Sequence, residues 1–349
     1  MTPRHFGSLD TGERVDAYTL ANESGSSVQI LTYGGIVTSL RVPDREARVA
    51  DVVLGFDRLE HYLRRHPYFG AIVGRIAGRV TGGRLSVGGR VYGLARNDGA
   101  NHLHGGLRGL DRRMWTAQPV RRPDGAPSLR LAYSSPDGEE GYPGNVDIAV
   151  TYTLTASNAF VVDTEATSDR PTPLSLAHHS YFNLAGEGSG SVLHHEVAIL
   201  ADEYVPAGAD LTLSDRREPV DGRGADLREP RRLDAALPRI SGSHGDMYLL
   251  GPRRSGEPAA TTLAARVAEP ATGRVLEVFT DESCLQFYTG SALDGTWIGK
   301  SGHPYGAHAG LCLECQGYPN ASGSAPFDDI LLQPGMPQRR HTVYAFSTS

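Results

Sequence analysis

The run Thr172-Pro173-Leu174-Ser175-Leu176-Ala177-His178-His179-Ser180-Tyr181-Phe182-Asn183 is apolar up to two adjacent histidines and then turns polar and aromatic. It reads as a strand that delivers imidazole to its end. An unperturbed imidazole titrates at about 6.5, so a histidine beside a pocket gives or takes a proton without extreme tuning. From the residues alone, the plain alternative is that one histidine of the pair packs and the other is solvated. A second candidate is Glu314 in Ala309-Gly310-Leu311-Cys312-Leu313-Glu314-Cys315-Gln316. Strand period puts Leu311, Leu313 and Cys315 on one face and Cys312, Glu314 and Gln316 on the other. A carboxylate on such a segment is costly unless paired, so Glu314 is either an arginine's structural partner or a general base. Cys312 and Cys315 fall on opposite faces, which argues against a zinc or redox C-x-x-C. A third candidate is Asn97-Asp98-Gly99-Ala100-Asn101-His102-Leu103-His104-Gly105-Gly106, a turn entering a short segment. If that segment is extended, His102 and His104 face the same side.

The elements that would hold these groups read as strands. Ser27 to Val42 alternates apolar and polar residues around Gly34-Gly35, which predicts two strands meeting at a bend. Further strands are expected at Asp51–Phe56, Leu129–Tyr133, Val146–Leu154, Ala159–Thr167, Glu196–Ala201, Thr261–Val267, Val275–Thr280, Cys284–Tyr288, Gly310–Gln316 and Thr342–Phe346. Helix is expected only as a turn or two between Arg58 and Arg65. The glycines of Gly70 to Val80 are too loosely spaced to cradle phosphate, and no helix with a dinucleotide-type start follows them. No repeat suggests a propeller or solenoid, so the expected fold is all-β: one domain, 1–349, built as a large antiparallel β-sandwich.

The 42 glycines and 22 prolines are spread along all 349 residues, which suits short strands and turns and marks no linker. Net charge is −6 with both signs interspersed, so the field that would gather nucleic acid or an anionic membrane is missing and a small-molecule partner is expected. The N-terminus has no signal pattern and no apolar run approaches the roughly 20 residues of a membrane span, so the expected setting is the cytoplasm, as a monomer or homodimer. Cys284, Cys312 and Cys315 are expected to stay reduced there.

Taken together, His104-Gly105-Gly106, His179-Ser180-Tyr181-Phe182-Asn183-Leu184, Gln286-Phe287-Tyr288-Thr289-Gly290 and Leu313-Glu314-Cys315-Gln316, in this order, resemble the aldose 1-epimerase (galactose mutarotase) family. The resemblance runs nearly end to end, from Thr32-Tyr33-Gly34-Gly35 through Gly74-Arg75-Ile76-Ala77-Gly78-Arg79 and Gly141-Tyr142-Pro143-Gly144 to Leu332-Gln333-Pro334-Gly335. It implies a β-supersandwich and a reaction in which the anomeric hydroxyl loses a proton while the ring oxygen gains one. By similarity Glu314 is the base, His179 the acid and His104 a second donor, with Arg79 and Gln286 holding hydroxyls and no metal or other cofactor. His178, Tyr181 and Asp246 complete the implied substrate-binding set. Asp246 belongs to it only if one residue is deleted relative to the family's aspartate-histidine pair, since ungapped alignment on Tyr248 puts Gly245 there.

The residues before Arg79 and before His179 are asparagine in the family and are Gly78 and His178 here. These departures fall on substrate-binding positions, which leads to an expectation of weak monosaccharide binding and of space for a larger, more apolar ligand at Gly78 and Gly245. Hexose anomer interconversion is the main expectation. An alternative is a repurposed enzyme using the same Glu/His pair for dehydration, conjugate addition or cyclisation of a non-sugar metabolite. A third is a metal-dependent or non-catalytic sugar-binding sandwich, prompted by His102-x-His104, His178-His179 and His194-His195, the last two otherwise ordinary surface or turn residues.

Overall fold

In the strand Val146–Leu154, residues Val146, Ile148, Val150, Tyr152 and Leu154 all enter one core while Asp147 stays exposed. This period-two burial is what β-branched and aromatic residues sustain on a pleated sheet. The strand pairs antiparallel with Ser128–Ser135 on one side and Ala159–Ser168 on the other. They belong to a nine-stranded sheet whose spatial order is Thr116–Val120, Ser128–Ser135, Val146–Leu154, Ala159–Ser168, Gln338–Thr348, Arg274–Thr280, Thr262–Ala268, Glu196–Ile199 and Arg231–Arg232. The last strand of the chain sits in its middle, so the C-terminal segment is an inner rung of the sheet.

Two five-stranded sheets form the facing layer. One is a meander of Arg4–Ser8, Arg14–Ala21, Ser27–Leu31, Val37–Pro43 and Val49–Asp51. The other runs Glu218–Pro219, Glu203–Val205, Met247–Leu249, Cys284–Tyr288 and Cys312–Gln316. Leu20, Val28 and Ile30 from the first and Leu285, Phe287 and Leu313 from the second share one apolar cluster with Leu129, Val150 and Phe160 of the large sheet. The molecule is an all-β sandwich. Among the described residues its α-helices are the short Leu59–Leu63 and Leu233–Ala236, and none is long and apolar enough to cross a membrane. The computed structural model describes residues 1–208, 210–213, 216–240, 246–251, 261–319 and 330–349.

Two local expectations are corrected. The stretch from Thr172 is not one strand: Thr172–Pro173 pairs with Leu331–Leu332 and Ala177–His178 pairs with Ile72–Val73. It threads between segments, with Ser175 N–H donating to Arg75 C=O and Phe182 N–H to Leu311 C=O, so its backbone is satisfied without a continuous ladder. Nor do His102 and His104 share a face. The ladder stops at Leu103, and His104 turns to a φ of 50°. His102 instead bonds Ala95 C=O at 2.6 Å and the Tyr142 hydroxyl at 2.6 Å inside the protein.

Candidate active site

Glu314 lies directly opposite Gln286 in antiparallel register, and Gln286 lies directly opposite Met247. Cross-strand partners share a face, so the three form a row along a cavity of about 550 Å³ that they line together with Arg79, His104, His179 and Tyr181. The alternation read from the sequence holds here, since Glu314 and Gln316 line this cavity and Cys315 lines a different one. Among the described residues Glu314 has no arginine within ion-pair distance. Its neighbour is His179, whose Nε2 stands 3.6 Å from Oε1, and its Oε2 has no hydrogen-bond partner there.

His179 is held through its backbone. Its N–H donates to Ala71 C=O and its C=O accepts from Gly70 N–H, both at 2.9 Å. The Nδ1 edge faces Cys312 Sγ at 3.7 Å, which leaves Nε2 for Glu314. Tyr181 lies nearly parallel to the imidazole, 5.2 Å away between centroids.

His104 reaches the cavity from the turn after Leu103. Its Nδ1 accepts the Gly78 N–H at 3.1 Å while its own N–H donates to Gly78 C=O at 3.0 Å. Because Nδ1 accepts, the neutral ring carries its proton on Nε2 and presents a donor to the cavity. The following Gly105 has a φ of 88°, and a Cβ there would stand 1.6 Å from Gly74 O, so only glycine allows the turn. Arg79, opposite Leu103 in the ladder, is fixed by Asp98 at 2.6 Å (Nε to Oδ2).

Burial pushes the Glu314 carboxyl up to about 8, against a smaller lowering by Arg79. Burial likewise pushes His179 down to about 4. His104 lies well below the usual histidine range, first through burial and then through His179 and Arg79. At neutral pH the Glu314–His179 pair therefore shares a single proton, and His104 is an uncharged donor. A base and an acid that together hold one proton can take a proton from one oxygen while giving one to another.

The ligating atoms of His104, His179 and Glu314 lie within 4.8 Å of one another, a spacing a metal ion could use. The Gly78 bond opposes this. It occupies the Nδ1 lone pair and leaves the proton on Nε2, so His104 has no free lone pair to offer.

Of the expected site residues, Glu314, His179, His104, Arg79, Gln286 and Tyr181 line one cavity, and two do not. His178 points to the opposite side of the chain from His179, among Tyr152, Phe160 and Tyr344, with Nε2 2.8 Å from Ser180 Oγ. Adjacent residues in extended backbone face opposite ways, and the pairing of Ala177–His178 with Ile72–Val73 keeps His178 on the side away from this cavity. Asp246 is wholly buried but absent from the cavity lining, with both carboxylate oxygens unpartnered among the described residues and its carboxyl raised to about 7 by burial and then Glu218. Gly245 lies outside the described residues. Gly78 lines the cavity, yet a Cβ there would meet the Pro319 ring at 3.0 and 3.1 Å, so proline already fills that space. His194 is exposed as expected, but His195 is a buried core histidine whose Nε2 accepts the Leu184 N–H at 2.9 Å. Tyr68, Asp98 and Trp297 also line the cavity, and the sequence assigned them no role.

The family model described as aldose 1-epimerase matches residues 16–345. Galactose mutarotase of Sus scrofa is 42% identical over 347 residues, covering 99% of this chain and 98% of that protein. Aldose 1-epimerase of Escherichia coli K12 is 33% identical over 343 residues, covering 96% of each. Among solved structures, an aldose epimerase homologue from C. elegans superposes with a TM-score of 0.85 at 28% identity, covering 96% of this chain and 99% of that one. A galactose 1-epimerase from Lactobacillus acidophilus superposes with 0.84 at 26% identity, covering 100% and 98%.

Proposed function

The chain belongs to the aldose 1-epimerase family, and from that premise we propose that it interconverts the α and β anomers of a free hexose, with Glu314 and His179 as the acid–base pair and the whole chain, 1–349, as one domain. The observation that carries this is the row Met247, Gln286, Glu314 facing His179 across one cavity, with Nε2 3.6 Å from Oε1.

Glu314 takes the proton from the anomeric hydroxyl as His179 gives one to the ring oxygen. The C1–O5 bond breaks and the C1–O1 bond becomes a carbonyl. The aldehyde turns about C1–C2, the new O5 hydroxyl attacks its other face, and the two protons return along the same paths. His104 Nε2–H supports the oxygen that carries developing negative charge, and Arg79, oriented by Asp98, and Gln286 hold the remaining hydroxyls. Acid–base help of this kind is worth about 10²–10⁴-fold per well-placed group.

A repurposed enzyme for a non-sugar metabolite is not favoured. It rested on three departures: His178 faces away from the cavity, Pro319 fills the space at Gly78, and of the aspartate position Asp246 is absent from the cavity lining while Gly245 lies outside the described residues. The small-molecule substrate needs neither nucleic acid nor membrane, and a cytoplasmic monomer or homodimer suits it. Exchange NMR on galactose at equilibrium tests the function: the protein should transfer magnetisation between the two anomeric protons at a rate that saturates with sugar. Exchange no faster than in buffer at micromolar protein would refute it.

A further inference from the structure

The turn before His179's partner segment carries a side chain that neither the motifs nor the acid–base scheme uses. Tyr68 adopts a φ of 58°, a conformation that bulky side chains avoid and that persists only where the surroundings impose it. The surroundings here are the backbone of His179. Tyr68 C=O accepts the Ala71 N–H, Gly70 N–H donates to His179 C=O, and Ala71 C=O accepts the His179 N–H, at 3.0, 2.9 and 2.9 Å. Gly70, with a φ of 67°, lies so close to the neighbouring strand that a Cβ would stand 2.1 Å from Val37 O. Turn and histidine are therefore one rigid unit.

This unit aims the tyrosine ring at the reacting groups. Its centroid lies 4.7 Å from that of His104, edge to face, and 5.8 Å from that of His179, nearly parallel. Tyr68 lines the cavity half-buried, and its hydroxyl makes no hydrogen bond among the described residues. Tyr181, the other ring beside His179, differs, because its hydroxyl is engaged with the Cys312 thiol. A phenol held by a strained backbone, with its polar tip open to a cavity, is arranged for a partner that arrives from outside. Burial also holds the Tyr68 hydroxyl up to about 12, so it remains a donor throughout the working range.

We propose that Tyr68 is a substrate-contacting residue: its ring walls the cavity beside both histidines, and its hydroxyl donates a hydrogen bond to a hydroxyl of the bound sugar. This rests on the aldose 1-epimerase reading given above. Ring and hydroxyl separate by substitution. Tyr68→Phe keeps the wall and removes the donor; Tyr68→Leu removes both.

The test measures kcat and KM by polarimetry, Kd for galactose by the fluorescence of Trp297, which lines the same cavity, and melting temperature. Tyr68→Phe should raise KM and Kd about tenfold, the loss of one hydrogen bond, with kcat within about twofold and an unchanged melting temperature. Within a panel of monodeoxy galactoses, one sugar should bind wild type and Tyr68→Phe equally, namely the one lacking the contacted hydroxyl. Tyr68→Leu should lower kcat as well, because the wall of both imidazoles is lost. Unchanged KM and Kd in Tyr68→Phe, or a lowered melting temperature with an equal penalty for every deoxy sugar, overturns the inference while wild-type turnover leaves the family reading standing. A wild-type protein that does not act on galactose fails the family reading itself.

Discussion

Nε2 of His179 lies 3.6 Å from Oε1 of Glu314, and the two side chains are only 5% and 3% exposed. A titratable pair so close and so dry exchanges protons as a unit, and most of the behaviour expected of this protein follows from that unit.

Replacing Glu314 by glutamine should lower kcat at least 100-fold, because the amide fills the same space and cannot accept a proton. A variant retaining more than about a tenth of wild-type kcat would remove Glu314 from the base role. Stability moves the other way. The folded carboxyl is raised to about 8, so its contribution is fully present below the ordinary carboxylate range and is lost as pH rises through about 8. Glu314→Gln abolishes that loss. Its melting temperature should match wild type near pH 4.5 and exceed it by a few degrees, about 3 °C or more, near pH 8.

The pH profile of kcat/KM should be bell-shaped with limbs belonging to the pair. Activity falls on the acid side when a second proton enters as His179 charges, near 4, and on the alkaline side when the single proton leaves Glu314, near 8. A profile flat from about pH 5 to pH 9 contradicts the shared-proton assignment.

His179→Asn should cost more in kcat than His104→Asn. His179 moves a proton, whereas His104, with Nδ1 bound to Gly78 N–H, only donates a hydrogen bond. The expected losses are about 10²–10⁴-fold and about 10-fold. Equal losses measured by steady-state kinetics would give the two a common role.

His178→Asn separates the neighbouring histidines. Because His178 packs among Tyr152, Phe160 and Tyr344, the change should leave KM for galactose within about threefold and lower stability by about 2–4 kcal/mol, as loss of a buried ring does. A tenfold rise in KM without loss of stability would return His178 to the sugar site.

How much of this was legible in the sequence depends on how local each constraint is. Glu314 and its face could be read from Gly310–Gln316 because strand alternation is a local rule, and the row with Gln286 follows once those two strands pair. The strands at Val146–Leu154 and Cys284–Tyr288 begin and end where their patterning and turns place them. The long strand expected from Thr172 was not there, since that stretch takes its hydrogen bonds from residues as distant as Arg75 and Leu311. Tyr68 could not be assigned either. Its role depends on a positive φ imposed by the His179 backbone, and nothing in Pro67-Tyr68-Phe69-Gly70 announces which side chain that turn will aim inward.

The central claim is that Glu314 and His179 open and close a sugar ring, and the decay of optical rotation of freshly dissolved α-D-galactose measures it most directly. Wild-type protein at micromolar concentration should bring the rotation to its equilibrium value many times faster than buffer, and Glu314→Gln at the same concentration should match buffer to within about a hundredth of the wild-type acceleration. Wild-type protein that leaves the spontaneous rate unchanged, or a Glu314→Gln variant that accelerates it as wild type does, would contradict the account.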